Sequence, residues 1–471
     1  MRTWLPYALG MATAIGLAIP TQTPASAQSL EQALTAAYAN NPTLAAQRAS
    51  LRAIDEGVSQ ALGNWRPSVS LTGDLARAHT YNTTRSSSTR GQVRSPRGAE
   101  INITQPLFRG FRTVSAEREA KSSVKAERAR LTGVEQTVMV NAATSFMSVV
   151  RDQAILELNI NNEQVLKRQL EATRDRFEVG EITRTDVHQA EARHAGATAD
   201  RVTAEGNLET SRATYFNVVG EAPGRLVQPD PIAGLPESKA QAMEMAQKYY
   251  PTVVAAEFDE RVARERVRGI RGELLPTVSL VGKLSRDLES ASNSSRVDEG
   301  SITAQISIPI FQQGIVYSRL RAAKQTASAE RLQTDQARRN AVEMATTSWE
   351  ALTTARARIK SFSAQVEANE IALEGVQREA AVGSRTVLDV LDAEQELLDA
   401  KVSLVGAQRD ETVASIRLRA TVGALTAQGL NLPVDYYDPR AHYQEVKGKW
   451  TGGSSSGEAE AEETPYEPDM Q

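Results

Sequence analysis

Asp389 and Asp392 stand three residues apart in a stretch of good helix formers, so their carboxylates share one helix face, with Arg385 one turn earlier. Acids paired in this way serve general acid–base chemistry or line the mouth of a pore, and in a first turn they complement the helix dipole. Nothing nearby selects a reaction. Carboxylate pairs abound on helices this charged, and no G-x-S-x-G, H-E-x-x-H or Walker loop occurs. The chain has no cysteine, which excludes disulfides, thiol catalysis and cysteine-held metals. His79, His188, His194 and His442 are scattered. His188 and His194 lie six apart, off the i, i+4 spacing that puts two ligands on one face, and they read as solvated surface. No enzyme, metal or cofactor is expected. A net charge of −4 with both signs interspersed leaves no footprint for nucleic acid.

The elements that must position these acids occur twice. Pro42, Pro67 and Gly73 recur as Pro251, Pro276 and Gly282, each 209 residues later. Pro106, Phe108, Gly180, Asp186, Glu191 and Gly220 recur as Pro309, Phe311, Gly383, Asp389, Glu394 and Gly423, each 203 residues later. Two constant offsets mean a tandem duplication with one indel between Gly73 and Pro106. The unit is far longer than a solenoid repeat, so each copy is a structural half. Asp392 aligns with Gln189, so the paired acids belong to the second half alone.

Each half holds a long proline-free stretch, Pro106 to Pro223 and Pro309 to Pro433. In the second, Leu352, Ala355, Ile359, Phe362, Val366, Asn369, Leu373 and Val376 alternate by three and four, the pattern of coiled-coil packing. Gly180 and Gly383 sit where a glycine ends a helix, and Thr183 to Asp186 and Thr386 to Asp389 have the spacing of a capping box. Antiparallel helical hairpins are predicted over about 112–218 and 315–421, with first arms on the order of 100 Å long at ~1.5 Å per residue.

Before each hairpin the period changes to two. Val69, Leu71 and Leu75 alternate with polar residues, as do Ile101 and Ile103, Val278 and Leu280, and Ile302 and Ile306. The predicted strands cover about 66–80, 98–107, 275–286 and 300–310, paired across polar loops Tyr81 to Arg97 and Asp287 to Glu299. Their length is that of transmembrane strands with one apolar face, and four strands cannot close a pore without oligomerising. A soluble sandwich is the alternative, but no partner sheet is available to complete its core.

Residues 1–27 read as a signal peptide: Arg2, an apolar run from Leu5 to Ile19, and an Ala25-Ser26-Ala27 cleavage site. The first repeat then spans 28–226, the second 237–428, and a C-terminal segment 429–471 ends in an acidic tail with the composition of disorder. After the leader no apolar run is long enough for a transmembrane helix, so any membrane entry must be by strands.

This ordered set resembles the TolC-like outer-membrane factor family over essentially the whole mature chain. The motifs are Asn41-Pro42 and Tyr250-Pro251 opening helices, Trp65-Arg66-Pro67 and Leu274-Leu275-Pro276 entering strands, Gln105-Pro106-Leu107-Phe108 and Ile308-Pro309-Ile310-Phe311 leaving them, and the two hairpin tips. The resemblance implies an α+β membrane channel. Each subunit supplies four transmembrane strands, one third of a 12-stranded trimeric barrel, and two helical hairpins of an α-barrel crossing the periplasm. It implies a homotrimer in outer-membrane lipid that works with an inner-membrane transporter, of ABC or RND type, and a periplasmic adaptor. Protein export by a type I system and drug efflux use the same tube, and the sequence does not choose between them. Asp389 and Asp392 match the acids that ring the closed periplasmic entrance in the family, where threefold symmetry gathers six carboxylates and favours cations. Arg385 and Asp186 match positions that latch neighbouring hairpins. The family often has a tyrosine three residues before the second tip glycine, where this chain has Ala380. A periplasmic adaptor or a coiled-coil scaffold is the alternative; the first normally has one hairpin and the second leaves the strands unexplained.

Overall fold

The computed structural model describes residues 28–80 and 92–453. The expected signal peptide (1–27), much of the first polar loop (81–91) and the acidic tail (454–471) lie outside the described residues.

Each half opens with two helices separated by a single residue: α1 (Leu30–Asn40) and α2 (Pro42–Gly63), then α5 (Lys239–Tyr249) and α6 (Pro251–Gly272) in the second half. The proline at the first position of α2 and of α6 gives up an N–H that has no helical partner there. Each half then runs through strands into one very long helix, α3 (Arg112–Glu178) or α7 (Ile315–Ala381). Both are 67 residues, ~100 Å at 1.5 Å per residue. The return helices α4 (Arg184–Val219) and α8 (Val387–Thr421) are about half as long.

The remaining length is covered end to end. At the tip half α3 pairs with α4 and α7 with α8; at the sheet half α3 packs on α2 and α6, and α6 on α7. The C-terminus of α4 abuts the N-terminus of α2, where Asn41 works on both. Its Oδ1 accepts from the amides of Thr43 (3.0 Å) and Leu44 (3.3 Å), and its Nδ2 donates to the Val218 carbonyl at 2.9 Å. One side chain thus satisfies orphan groups of two helix ends. Its counterpart between α8 and α6 is Tyr250, which makes no capping bond. Asn41→Ala is expected to lower stability by about 1–2 kcal/mol, with Asn41→Asp intermediate because it keeps the cap and loses the donor. Thermal melts of the purified protein check the order.

The strands β1 (Ser68–Leu75), β4 (Arg97–Arg109), β5 (Thr277–Leu288) and β6 (Arg296–Ser307) form one antiparallel sheet in the order β1-β4-β5-β6. Short strands β2 (Ala78–Thr80) and β3 (Gln92–Arg94) pair beyond it. The register aligns Leu71 with Ile101, Ile101 with Leu284, Gly282 with Ile302, and Val278 with Ile306, which collects the apolar residues on one face. That face is bare: Leu71 is 74% and Ile302 81% exposed. The opposite face carries Asn102, Thr303 and an ion pair between Lys283 and Glu100 at 3.0 Å. Strands of 12 residues span ~40 Å, and with a 45° tilt ~28 Å, the thickness of a bilayer core. No described helix is long and apolar enough to cross a membrane.

Pro67 and Pro276 immediately precede β1 and β5, and Pro309 follows β6. Pro106 does not end its strand. β4 continues to Arg109, with a bulge between Pro106 and Phe108. The missing N–H is tolerated there because β1 stops pairing at Thr104, leaving β5 as the one neighbour. β6 likewise starts at Arg296, inside the segment that composition marked as loop, with Asp298 bound by Arg286 and Arg296, both at 2.7 Å.

The main core joins α1, the middle of α3, the end of α4 and the C-terminal segment, with Leu34, Met139, Ala143, Phe146, Tyr215 and Leu425 buried together. The last short helix α9 (Ala441–Val446) lies back on α2, tied by Ser59 to the Val446 carbonyl (3.1 Å) and Arg66 to that of Lys449 (2.6 Å). His442, scattered in sequence, is therefore buried here: its Nδ1 sits 3.6 Å from the buried carboxylate of Asp55. Burial raises the Asp55 pKa, opposed by Arg128 at 3.9 Å and by His442. Scattered spacing could not reveal a contact made by a helix folding back across the chain.

Candidate functional site at the hairpin tips

Both hairpins turn on a glycine in the left-handed region, Gly180 (φ +83°) and Gly383 (φ +78°), a conformation strained for any residue with a Cβ. Three residues past each glycine the capping boxes begin. Thr183 Oγ1 accepts from the Asp186 amide (3.3 Å) while Asp186 accepts from the Thr183 amide (3.0 Å). Thr386 and Asp389 repeat this at 3.2 and 2.9 Å. The Thr386 backbone amide and hydroxyl hold the Asp389 carboxyl below its ordinary range, so it stays charged well into acid. The cap it makes is fully present above the ordinary carboxylate pKa and is lost as the pH falls through the lowered one.

Asp186 and Arg385, expected to latch, do not meet within the protomer. Asp186 is used by its own cap, and the Arg385 guanidinium binds Glu379 on the same hairpin at 2.9 Å. Asp392 is the residue that ties the hairpins together. Arg193 of α4 binds its carboxylate at 2.5 Å, and beside it Leu391 is buried against Leu166 and Ala197 of the first hairpin. Arg193 was missed from sequence because its repeat counterpart is Glu396, so no paired motif marks it.

The copies also diverge one turn further in. Glu191 is bound by Arg174 at 2.8 Å, whereas at the matching places Glu394 meets Gln377 at 3.2 Å. The Arg174 bond lowers the Glu191 pKa, and burial raises that of Glu394. A carboxyl with a raised pKa favours the packed state when protonated, so packing around Glu394 is expected to weaken as the pH rises through its titration, while Glu191, charged and paired, holds. The second hairpin thus carries the paired acids Asp389 and Asp392 and the weaker internal clamp.

The profile of a family described as outer membrane efflux protein matches residues 33–221 and 242–424, one block in each half. The chain is similar to the outer membrane efflux protein BepC of Brucella suis biovar 1, with 34% identity over 91% of this chain and 92% of that one. It is also similar to the outer membrane protein TolC of Vibrio cholerae, 27% identical over 85% and 92%. Among solved structures, the Campylobacter jejuni CmeC outer membrane channel shares the fold with a TM-score of 0.76 at 16% identity, covering 89% of each chain.

Proposed function

Because the chain belongs to the outer membrane efflux protein family, and is an outer-membrane transport protein rather than an enzyme, we propose that three copies form one duct across the outer membrane and periplasm. The observation that carries this is the four-stranded sheet with a bare apolar face and two edges, β1 and β6, that have no partner strand among the described residues. Such edges close when β6 of one copy pairs with β1 of the next, and three copies give an even-stranded barrel. The helices support the same closure: Phe216 on α4 and Leu332 and Ile371 on α7 are exposed apolar residues that a neighbouring copy would cover.

In this reading the tips meet an inner-membrane transporter, ABC or RND, through a periplasmic adaptor. The mouth is closed by hairpins carrying Asp389 and Asp392, with Arg385 and Asp186 within the same tips. Opening swings α7 and α8 outward, which must break the Arg193–Asp392 bond. The duct is passive, and its cargo is protein, as in type I secretion, or small molecules.

Fractionation and planar-bilayer recording test this. A detergent-extracted, heat-labile trimer from the outer membrane with small, stable conductance is the expected result; a soluble periplasmic monomer would overturn it.

A further inference from the structure

At the joint between α8 and α6 Tyr250 makes no side-chain cap, although the backbones meet closely at Gly423 and Tyr249. A cavity of about 760 Å³ lies there, against α3, α6, α7 and α8. Its side of the wall is set by α3. Met139 and Ala143 are buried under α1 and the C-terminal segment, while Thr137 and Asn141, roughly 160° away around the helix at ~100° per residue, line the cavity. With that belt outside the tube of the trimeric duct, on which this inference rests, the Thr137 and Asn141 side of the cavity faces the lumen, while Val134 and Val140 reach back to the core.

Its chemistry is amphipathic. Val134, Val140, Ala255 and Met344 supply an apolar floor. At one end Arg130 is neutralised by Glu127 (3.1 Å) and Asp259 (2.6 Å). At the other, the exposed Arg417 lines the cavity with no ion pair among the described residues. An exposed guanidinium without an ion pair beside an apolar floor selects an anionic head on an apolar body. The volume is that of small-molecule sites between helices.

We propose that this recess is a cargo-binding station for anionic amphiphiles, one per subunit, with Arg417 taking the anionic head. A passing carboxylate or sulfonate with a hydrophobic body would dwell there, midway along the duct, while uncharged molecules of the same shape would not be held by Arg417.

The probe is 8-anilinonaphthalene-1-sulfonate, with uncharged N-phenyl-1-naphthylamine as its counterpart, titrated by fluorescence into protein in neutral-lipid nanodiscs. Arg417→Glu is expected to weaken the sulfonate about tenfold or more, the scale of one charge-assisted hydrogen bond, and to leave the uncharged probe unchanged. Met344→Trp, which fills the floor from an exposed position, weakens both. Sulfonate binding indifferent to Arg417→Glu in an intact trimer overturns the station alone. Equal loss of both probes on Arg417→Glu overturns it as well, since charge would then not be what is read. A wild-type protein that is monomeric in the nanodisc overturns the duct and the recess together.

Discussion

Gly272→Val is expected to abolish folded protein in the outer membrane, although Gly272 lies in no motif. It ends α6 where the chain passes Gly110, the residue after β4, and a Cβ built there would stand 2.2 Å from the Gly110 carbonyl oxygen and 2.8 Å from Arg112 Cγ. The Gly110 position is closed in return, its own Cβ falling 2.2 Å from the Gly272 carbonyl at φ +61°. The long arginine side chain can move, but backbone cannot. Arg109 is paired with Thr277 in the ladder, so separating the two glycines means shearing β4 from β5 at the sheet's base. Overpacking of flexible cores costs 1–3 kcal/mol, and a collision with fixed backbone exceeds that range, to roughly 4 kcal/mol or more. Gly57→Ala is the control: the glycine lies within α2 with nothing within 4 Å, and alanine there is expected to stabilise by about 0.5–1 kcal/mol. Heat-modifiable migration and membrane abundance measure both. A valine variant that still reaches the membrane as a heat-labile oligomer would show that the joint yields.

The fold was legible where local pattern and duplication agreed. Period-two alternation at Val69, Leu71, Ile101 and Ile103 survives as one apolar face because register in an antiparallel ladder keeps alternate residues on one side. Capping boxes and tip glycines were legible for the same reason: their physics is contained in four or five consecutive residues. Interactions between distant segments were not. Arg193 reaches Asp392 across 199 positions, and His442 meets Asp55 only because α9 folds back on α2. Pro106 misled because a proline usually ends a strand, while here the adjoining strand stops first. The two joints show this limit most clearly. Asn41-Pro42 and Tyr250-Pro251 look alike as motifs, yet one is tied by an asparagine side chain and the other has no side-chain cap and borders a cavity.

In the proposed trimeric duct, neutralising Asp389 is expected to lower cation preference several-fold, and more than neutralising Asp392 does. The family resemblance treats the two acids alike, but the protomer does not. Arg193 sits on the Asp392 carboxylate, so its charge is largely cancelled before an ion arrives. Asp389 is bound by neutral groups, the Thr386 amide and hydroxyl, which hold it ionised without cancelling its charge, and Arg385, the nearest cation, is engaged by Glu379. Three Asp389 carboxylates around one axis would therefore set the potential at the mouth, with Asp392 acting first as a tie. Reversal potentials in a salt gradient across a planar bilayer separate these roles. Asp389→Asn should shift the potential strongly toward zero and Asp392→Asn weakly, while Asp392→Asn raises conductance because the hairpins come untied. Arg193→Ala should do both opposite things at once, raising conductance by freeing the second hairpin and sharpening cation preference by uncovering Asp392. Equal selectivity losses for the two aspartates, or an Arg193→Ala channel with unchanged conductance and selectivity, would mean that Arg193 does not hold Asp392 in the assembled mouth. Salt is part of the measurement, since exposed charges are screened over ~10 Å at 0.1 M, so the contrast must be largest in dilute electrolyte and fade toward 1 M.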